Sequence, residues 1–557
     1  MSASSTKPVL IAGAGPTGLV LALTLTKNGV PVRIIEKDSQ YHVGQRGAGL
    51  QPRTLELFHF LGVLPDVLAG GRPLVKRCIY QMPEGRVPAK VFDMSPWEEP
   101  TPSVPNRNPW IIGQSHNEEI LRAHLAKYGV QVELDTELVS FEQDADGVTA
   151  HIVKRDGSEE APETVSASYL IGADGAKSIV RKQLGFTFHG ETRPADRILI
   201  SDIEVKNISE DLWHSWGDGT NPSGAVYLRP TEYKGIFSCT VYGREVNFEP
   251  LFNDRQALFD HVRRVSNRPE LEFGNIKWIS EWRPNIRMAD KFGEGRVFII
   301  GDAAHVHSPT GAQGLNSGVQ DAYNLAWKLT LVYKGIADPS LLNSYTEERL
   351  PIITEMLGKT TAILNQTVKF KADGSNVNPA VRPKLLHQLG VNCRWSSILV
   401  DEQPEAKDVS NEGAYLPEDT TRLYAGDRAP EAPALVNVGD ASAKPTSLFD
   451  IFGPTHHTAL VFVSDVEQAK PVLESLKGYP EGTVKKVVVL PKGTEKPAVA
   501  EGADLTVVDQ DGHAYAVYAP ANKGFPVIVV RPDNVVGAVT KDAQGTKRYF
   551  DAIFTRN

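Results

Sequence analysis

The sequence predicts a multidomain chain of mixed α/β and α+β character. A doubly wound parallel unit is interleaved with a second, mixed sheet, followed by a helical connection and a separate C-terminal α/β unit. Three observations carry this. A strand–helix–strand pattern with a glycine-rich turn opens the chain. Two further apolar strands, ending at Asp174-Gly175 and Gly301-Asp302, lie far downstream. The apolar pattern restarts near 427, after a stretch around 401–419 rich in Glu, Asp, Pro and Asn. The 557 residues suffice for roughly three to five domains. With 59 Lys and Arg against 68 Asp and Glu, the net charge of −9 argues against a nucleic-acid binder, whose footprint is basic. Cys78, Cys239 and Cys393 form no CxxC, which excludes a disulfide scaffold and a zinc ribbon. No apolar run is long enough to span a membrane, and a cytoplasmic location is expected.

The first element is the most specific. Pro8 to Ala12 is an apolar strand, Gly13-Ala14-Gly15-Pro16-Thr17-Gly18 the turn, and Val32 to Ile35 the next strand, ending in Glu36. In such a Rossmann-like unit the first glycine permits the tight turn, the second lets backbone approach a pyrophosphate, and the third lets helix pack on strand. The helix N-terminus supplies free N–H groups and positive potential for phosphate. Glu36, 18 positions after Gly18, is placed to accept from a ribose diol.

The second strand runs into Asp174-Gly175 and a polar turn with Ser178 and Arg181. The third ends in Gly301-Asp302, where doubly wound sheets bind ligands. Gly311 to Gly314 then form a glycine-rich loop ahead of a helix whose apolar residues Leu315, Val319, Ala322, Ala326 and Leu329 recur at helical spacing.

Together these motifs resemble the class A flavoprotein aromatic hydroxylases, the family of p-hydroxybenzoate hydroxylase and phenol 2-monooxygenase. The resemblance covers essentially the whole chain, and the wording around Gly301 to Asn316 is nearest the phenol 2-monooxygenase branch. It implies FAD as cofactor, with Gly13, Gly15, Pro16, Thr17 and Gly18 at the pyrophosphate. Glu36 would hold the adenosine ribose, and Lys37 and Leu138 are further cofactor-binding candidates. Arg46 would lie near the flavin edge, Gln114 and Asp302 along the ribityl chain, and Gly314, Leu315 and Asn316 at the flavin's pyrimidine end. Asp174 belongs to a motif linked to both FAD and NAD(P)H. Pro309 would sit on the flavin face, and it joins Arg46 as a catalytic candidate. The implied activity is NADPH- or NADH-dependent hydroxylation of a small phenolic substrate by O2, through a flavin C4a-hydroperoxide, in a homodimer without nucleic-acid or membrane partners. Alternatives on the same fold are decarboxylative ipso attack, Baeyer–Villiger oxidation and epoxidation; from another class, a non-catalytic FAD-binding scaffold.

The domains follow. Residues 1–190 hold the first part of the FAD-binding domain, with a substrate-domain insertion near 75–110. Residues 191–290 form the substrate-binding sheet, 291–370 complete the FAD-binding domain, and 371–426 are a helical or linker segment. Residues 427–557 resemble the thioredoxin-like domain of the phenol hydroxylase branch, but no cysteine follows Cys393, so it carries no redox pair. A cis bond before Pro526 is one expectation for such a fold, an ordinary trans residue the other.

In the middle sheet, alternation places Trp278, Ser280 and Trp282 on one face. Tyr227 and Arg229 share a face too and are the substrate-binding candidates, with an outward-facing pair as the competing expectation. Trp213 and Trp216 are expected in core or interface. His305 and His307 have no third ligand at suitable spacing, so no metal site is expected. One departure stands out. The acid that in phenol hydroxylase relatives precedes Gly49-Leu50-Gln51 is here Ala48, so the usual acceptor of the phenolic proton is missing.

Overall fold

The computed structural model describes residues 7–555 except 158, 194–195, 218–223, 284, 308–310, 374–381, 419–421, 441 and 519–525, with backbone alone at 156 and 364–373. Its first layer is a six-stranded sheet ordered 293–294, 297–299, 169–172, 9–12, 32–35, 132–133. Val9–Ala12 is central, wholly buried, and parallel to both Tyr169–Gly172 and Val32–Ile35. Burial on both sides is why it reads as a continuous apolar run. Helices Pro16–Lys27 and Gly314–Tyr333 pack together on this sheet. A three-stranded antiparallel meander, Thr136–Gln143, Val148–Asp156 and Glu159–Ala167, flanks it.

The second sheet has seven strands, in the order 272–282, 198–206, 236–242, 225–230, 212–216, 76–80, 88–92. Strands Lys76–Tyr80 and Pro88–Phe92 come from the early part of the chain, so the two sheets are interleaved in sequence. Alternation divides its faces. Leu199, Ile203, Trp216, Leu228, Phe237 and Cys239 form one hydrophobic cluster with helix Arg255–Ser266. The other face turns toward the loop that precedes Gly49. Register aligns Trp278, Asp202, Ser238 and Arg229 across four adjacent strands on that face.

The C-terminal unit is a seven-stranded mixed sheet. His457–Phe462 is parallel to Val484–Leu490 and antiparallel to Val527–Val530. The acidic stretch wraps rather than tethers. Val400–Asp401 adds an edge strand to this sheet, and Leu386, Leu389, Tyr415 and Leu423 are buried. The bond before Pro526 involves Phe525, outside the described residues. One hydrophobic cluster runs through both the first unit and the C-terminal unit.

Charges are buried along the same junction. Arg531 donates from Nη1 and Nη2 to the two carboxylate oxygens of Glu348, at 2.8 and 2.9 Å. Lys328 Nζ lies 2.8 Å from Glu348 Oε2, and all three side chains are fully buried. Burial alone would raise the Glu348 carboxyl, but Arg531 and Lys328 outweigh it and hold it below the usual range. Arg53 Nη1 donates to Glu56 Oε2 at 2.9 Å and to Asn534 Oδ1 at 2.6 Å, and Arg428 Nη1 reaches Glu56 Oε1 at 2.8 Å. Removing one partner of a buried pair leaves an uncompensated charge, so Arg531→Met is expected to cost about 3–5 kcal/mol. Chemical denaturation checks this. The double variant Glu348→Gln/Arg531→Met should cost less than the sum of the two single changes.

Candidate cofactor and substrate site

The three turn glycines answer to three different constraints. At Gly13, φ is +108° and a β-carbon would lie 2.2 Å from the Ala173 carbonyl oxygen. At Gly18 it would lie 2.2 Å from the Gly13 carbonyl oxygen. Gly15 has an ordinary φ of −70°, and a β-carbon there meets nothing within 4 Å. Packing therefore demands the first and third glycines, whereas the second keeps open space at a helix N-terminus. Pro16 occupies the first helical turn, where its missing N–H costs nothing. Thr17 is wedged between the Asp302 turn and the long helix, since β-carbons at Gly301 and Gly318 would lie 2.8 and 2.3 Å from its Oγ1. Glu36 is buried, and its Oε2 accepts from the Ala14 amide at 2.9 Å. Lys37 is exposed. Leu138 is a buried strand residue paired with Ile152, and the Thr136 amide two residues earlier donates to the Glu36 carbonyl at 2.9 Å.

The two downstream motifs converge beside this turn. Asp174 Oδ2 accepts from the Ile179 and Val180 amides at 2.7 and 3.3 Å, while Oδ1 is buried without a partner among the described residues. Burial raises its carboxyl. Arg181 Nη1 donates to the Ala303 carbonyl at 2.7 Å, joining the Asp174 turn to the Asp302 turn. Asp302 is exposed at the carboxyl end of strand 297–299. Partial enclosure by the surrounding protein pushes its carboxyl up, and His305 opposes the shift. His305 Nε2 lies 2.6 Å from Asp321 Oδ2, which also accepts from the Gly301 amide at 3.1 Å; Arg349 Nε donates to Oδ1 at 2.7 Å. His305 thus serves the turn, and no group of three potential metal ligands occurs among the described residues.

The long helix starts at Gly314, and its first amides have no intrahelical acceptor. Leu315 is half-buried. The Asn316 side chain is committed to structure. It accepts from the Gln51 amide at 2.8 Å and donates to the carbonyls of Gly49 and Ala312 at 2.8 and 2.6 Å. Gln114 opens the helix Gln114–Ala126; its Oε1 accepts from the Gly47 amide at 3.3 Å and its Nε2 donates to Glu118 at 2.9 Å. Arg46 is exposed, with φ of +38°, and its guanidinium lies 5.5 Å from the Trp278 ring. Pro309 lies outside the described residues.

Tyr227 and Arg229 both sit on the sheet face turned toward this loop. Arg229 Nη2 donates to Gln45 Oε1 at 3.1 Å, and the Tyr227 hydroxyl bonds that of Tyr242 at 2.7 Å. Arg77 lies 4.5 Å from the Tyr227 ring. The two tryptophans part company. Trp216 is core, donating to the Gly85 carbonyl at 2.9 Å. Trp213 is instead half-buried on the loop-facing side with Arg77 and Arg229 each 5.8 Å from its ring, so of the two expected places, core or interface, it is not in the core. Residues three apart on a strand must face opposite ways.

Sequence reasoning missed Asp202, which accepts from the Gln45 amide at 2.7 Å. Its signal was a carboxylate interrupting the apolar strand Ile198–Lys206. Asp321, Glu232 and Arg349 carried no comparable signal.

Residues 6–360 match the family model described as FAD binding domain. A flavin-dependent monooxygenase of Mycobacteroides abscessus is 37% identical over 465 residues, 82% of this chain and 88% of that protein. Pentachlorophenol 4-monooxygenase of Sphingobium chlorophenolicum is 28% identical over 545 residues, 96% of this chain and 94% of that one. The structure of the flavin-dependent monooxygenase PieE in complex with FAD and substrate superposes with a TM-score of 0.79 at 24% identity, covering 98% of both chains. A ternary complex of aklavinone-11 hydroxylase with FAD and aklavinone gives 0.77 at 23% identity, again over 98% of both; at these identities the match shows the fold. The chain belongs to the FAD-binding-domain family, among the class A flavoprotein hydroxylases. It is a flavin-dependent monooxygenase of the aromatic hydroxylase kind.

Two expected outcomes follow from this geometry. Gly15→Ala should change unfolding stability by no more than about 0.5 kcal/mol yet weaken FAD binding in a fluorescence titration, whereas Gly13→Ala should destabilise the fold itself. The second concerns Asp202, whose carboxyl burial pushes up from 3.8 to about 6. The folded state then binds more protons than the unfolded one across that window, and stability falls as pH rises through it. Relative to wild type, Asp202→Asn should therefore gain about 3 kcal/mol between about pH 4 and pH 8, read by urea unfolding at both.

Proposed function

We propose that the chain is a single-component monooxygenase that uses FAD, NADPH (or NADH) and O2 to hydroxylate a phenolic ring. The observation that carries this reading is the meeting of the two sheets at one place. The space beside Gly15, the exposed Asp302 and the free amides of Gly314 to Asn316 lie at one end of the parallel sheet, with the Arg46 loop between them and an aromatic, cationic face of the second sheet. These residues fit FAD. Gly15 leaves room for a pyrophosphate, Glu36 offers an acceptor on the ribose side, and a helix N-terminus offsets negative charge at the ring's pyrimidine end. Gly13, Pro16, Thr17, Gly18, Lys37, Gln114, Leu138 and Asp174 complete the proposed cofactor set.

When bound and reduced by the nicotinamide, FAD supplies the activated oxygen; the protein's part is to bind, orient and exclude water. Trp213, Tyr227 and Trp278 offer rings for an aromatic substrate, and Arg77 and Arg229 supply positive charge that favours a phenolate over a phenol. Ionisation directs attack to the positions ortho or para to the hydroxyl. Ala48 is buried and apolar, so the phenolic proton does not leave through that position. The relatives' names support the substrate class, since they include a pentachlorophenol 4-monooxygenase and a 6-methylpretetramide 4-monooxygenase. Within the same proposal, 1–190 and 291–370 form the cofactor domain and 191–290 with 75–110 the substrate domain. Residues 427–557 form a thioredoxin-like unit without redox cysteines, in a homodimer.

The test is NADPH oxidation by the purified flavoprotein across simple phenols, hydroquinones, catechols, hydroxybenzoates and polycyclic phenols, with peroxide measured alongside. A substrate that speeds oxidation while peroxide stays low is the expected result, and product mass separates hydroxylation from decarboxylative attack. Stimulation by none of them, or only as peroxide, would sink the reading.

A further inference from the structure

Gln45, the residue before Arg46, is buried, and every polar group it carries is bonded. Its N–H donates to Asp202 Oδ2 at 2.7 Å, and its carbonyl accepts from the Gln114 amide at 3.0 Å. Its Nε2 donates to Glu232 Oε2 at 2.8 Å, while its Oε1 accepts from Arg229 Nη2 at 3.1 Å. Asp202 and Arg229 lie on strands of the second sheet, and Glu232 lies in the turn that follows one of them. The surroundings leave no slack. A β-carbon at Gly113 would lie 2.4 Å from Gln45 Nε2, and one at Gly44 would lie 2.6 Å from the Trp278 ring.

Arg46 itself is the opposite. Its side chain is exposed, and its backbone is left-handed without being glycine. A non-glycine residue stays in that conformation only where its surroundings impose it. The surroundings here are the two residues before it: Gln45, bonded to the second sheet, and Gly44, packed close to Trp278 with its carbonyl accepting from the Ser115 amide at 3.4 Å. The bridge also needs a neutral amide. Glu232 must receive a proton donor and Arg229 must find an acceptor at the same side-chain end, which a carboxylate facing Glu232 cannot provide. Arg72 and His116 also face this cluster, through a hydrogen bond to the Thr231 carbonyl and a 3.6 Å approach to Glu232.

We infer that Gln45 is a positioning residue. It holds Arg46 in register with the substrate-facing sheet, so that a ligand engaging Arg229 acts on Arg46 through a single side-chain amide. The inference rests on the reading above that Arg46 faces the flavin edge.

The test uses the holoenzyme and two variants. Gln45→Leu keeps volume but loses both side-chain bonds. Gln45→Asn stays polar but is too short to bridge Glu232 and Arg229 at once, and it carries the test if the leucine variant does not fold. Hydrogen exchange at 44–48 should accelerate, and substrate-stimulated NADPH oxidation should fall, each by about tenfold or more. KM for the phenol and the FAD dissociation constant should stay close to wild type. Asp202→Asn, which keeps an oxygen for the Gln45 amide, should exchange at 44–48 as slowly as wild type. Unchanged exchange in both Gln45 variants overturns the inference, and so does faster exchange with full substrate stimulation. If no phenol stimulates even the wild type, the functional reading fails instead, and exchange at 44–48 alone decides whether Gln45 anchors the loop.

Discussion

No β-carbon fits where the first helix, the Asp174 turn, the Asp302 turn and the long helix meet. A β-carbon at Gly13, Gly18, Gly301 or Gly318 would lie within 3 Å of a neighbouring atom, the backbone of Ala173 or Gly13 or the Thr17 hydroxyl. That close approach gathers segments from the first twenty residues and from beyond residue 300 around one point. Remove the close approach, and the helix N-termini, Asp302 and Glu36 no longer share a cleft. The site is thus a consequence of packing density before it is one of chemistry.

The same constraint explains what could be read in advance. A glycine needed for a positive φ is dictated locally, and so are a buried parallel strand and the amphipathic helix after the 311–314 loop. Residue order thus points to a nucleotide-binding turn at Gly13 to Gly18 and to a helix N-terminus after the 311–314 loop, while the rest of the expected cofactor set comes from the family resemblance. The second sheet was legible only as alternation. Period two places Trp278, Ser280 and Trp282 on one side, and it also separates Trp213 from Trp216. Asp202 and Glu232 meet Gln45 across 157 and 187 residues. No local pattern encodes such a pairing, because register between sheets is set by tertiary packing.

His305 shows how a chemically suggestive pattern is absorbed by structure. Its partner Asp321 binds the Gly301 amide and Arg349 as well, so one buried carboxylate braces the turn that carries Asp302. Asn316 behaves likewise: its side chain holds the loop together through Gln51, Gly49 and Ala312. In both cases the polar group that looks available in sequence is spent on positioning its neighbour.

The ionic junction between the two ends of the chain bears on biosynthesis. Arg53 meets Asn534 across 481 residues, and Glu348 meets Arg531 across 183. During translation the N-terminal unit emerges with Glu56 and Glu348 facing a surface whose cations, Arg428 and Arg531, have yet to leave the ribosome. Contacts of such separation form late, because loop closure must precede them. The shared hydrophobic cluster adds to this, since its C-terminal half is also made last. The nascent cofactor unit therefore passes through a stage with apolar surface exposed and with Glu348 and Glu56 each holding only the cation from its own unit, Lys328 and Arg53, and the final strands act as the closing piece of the first domain's own core.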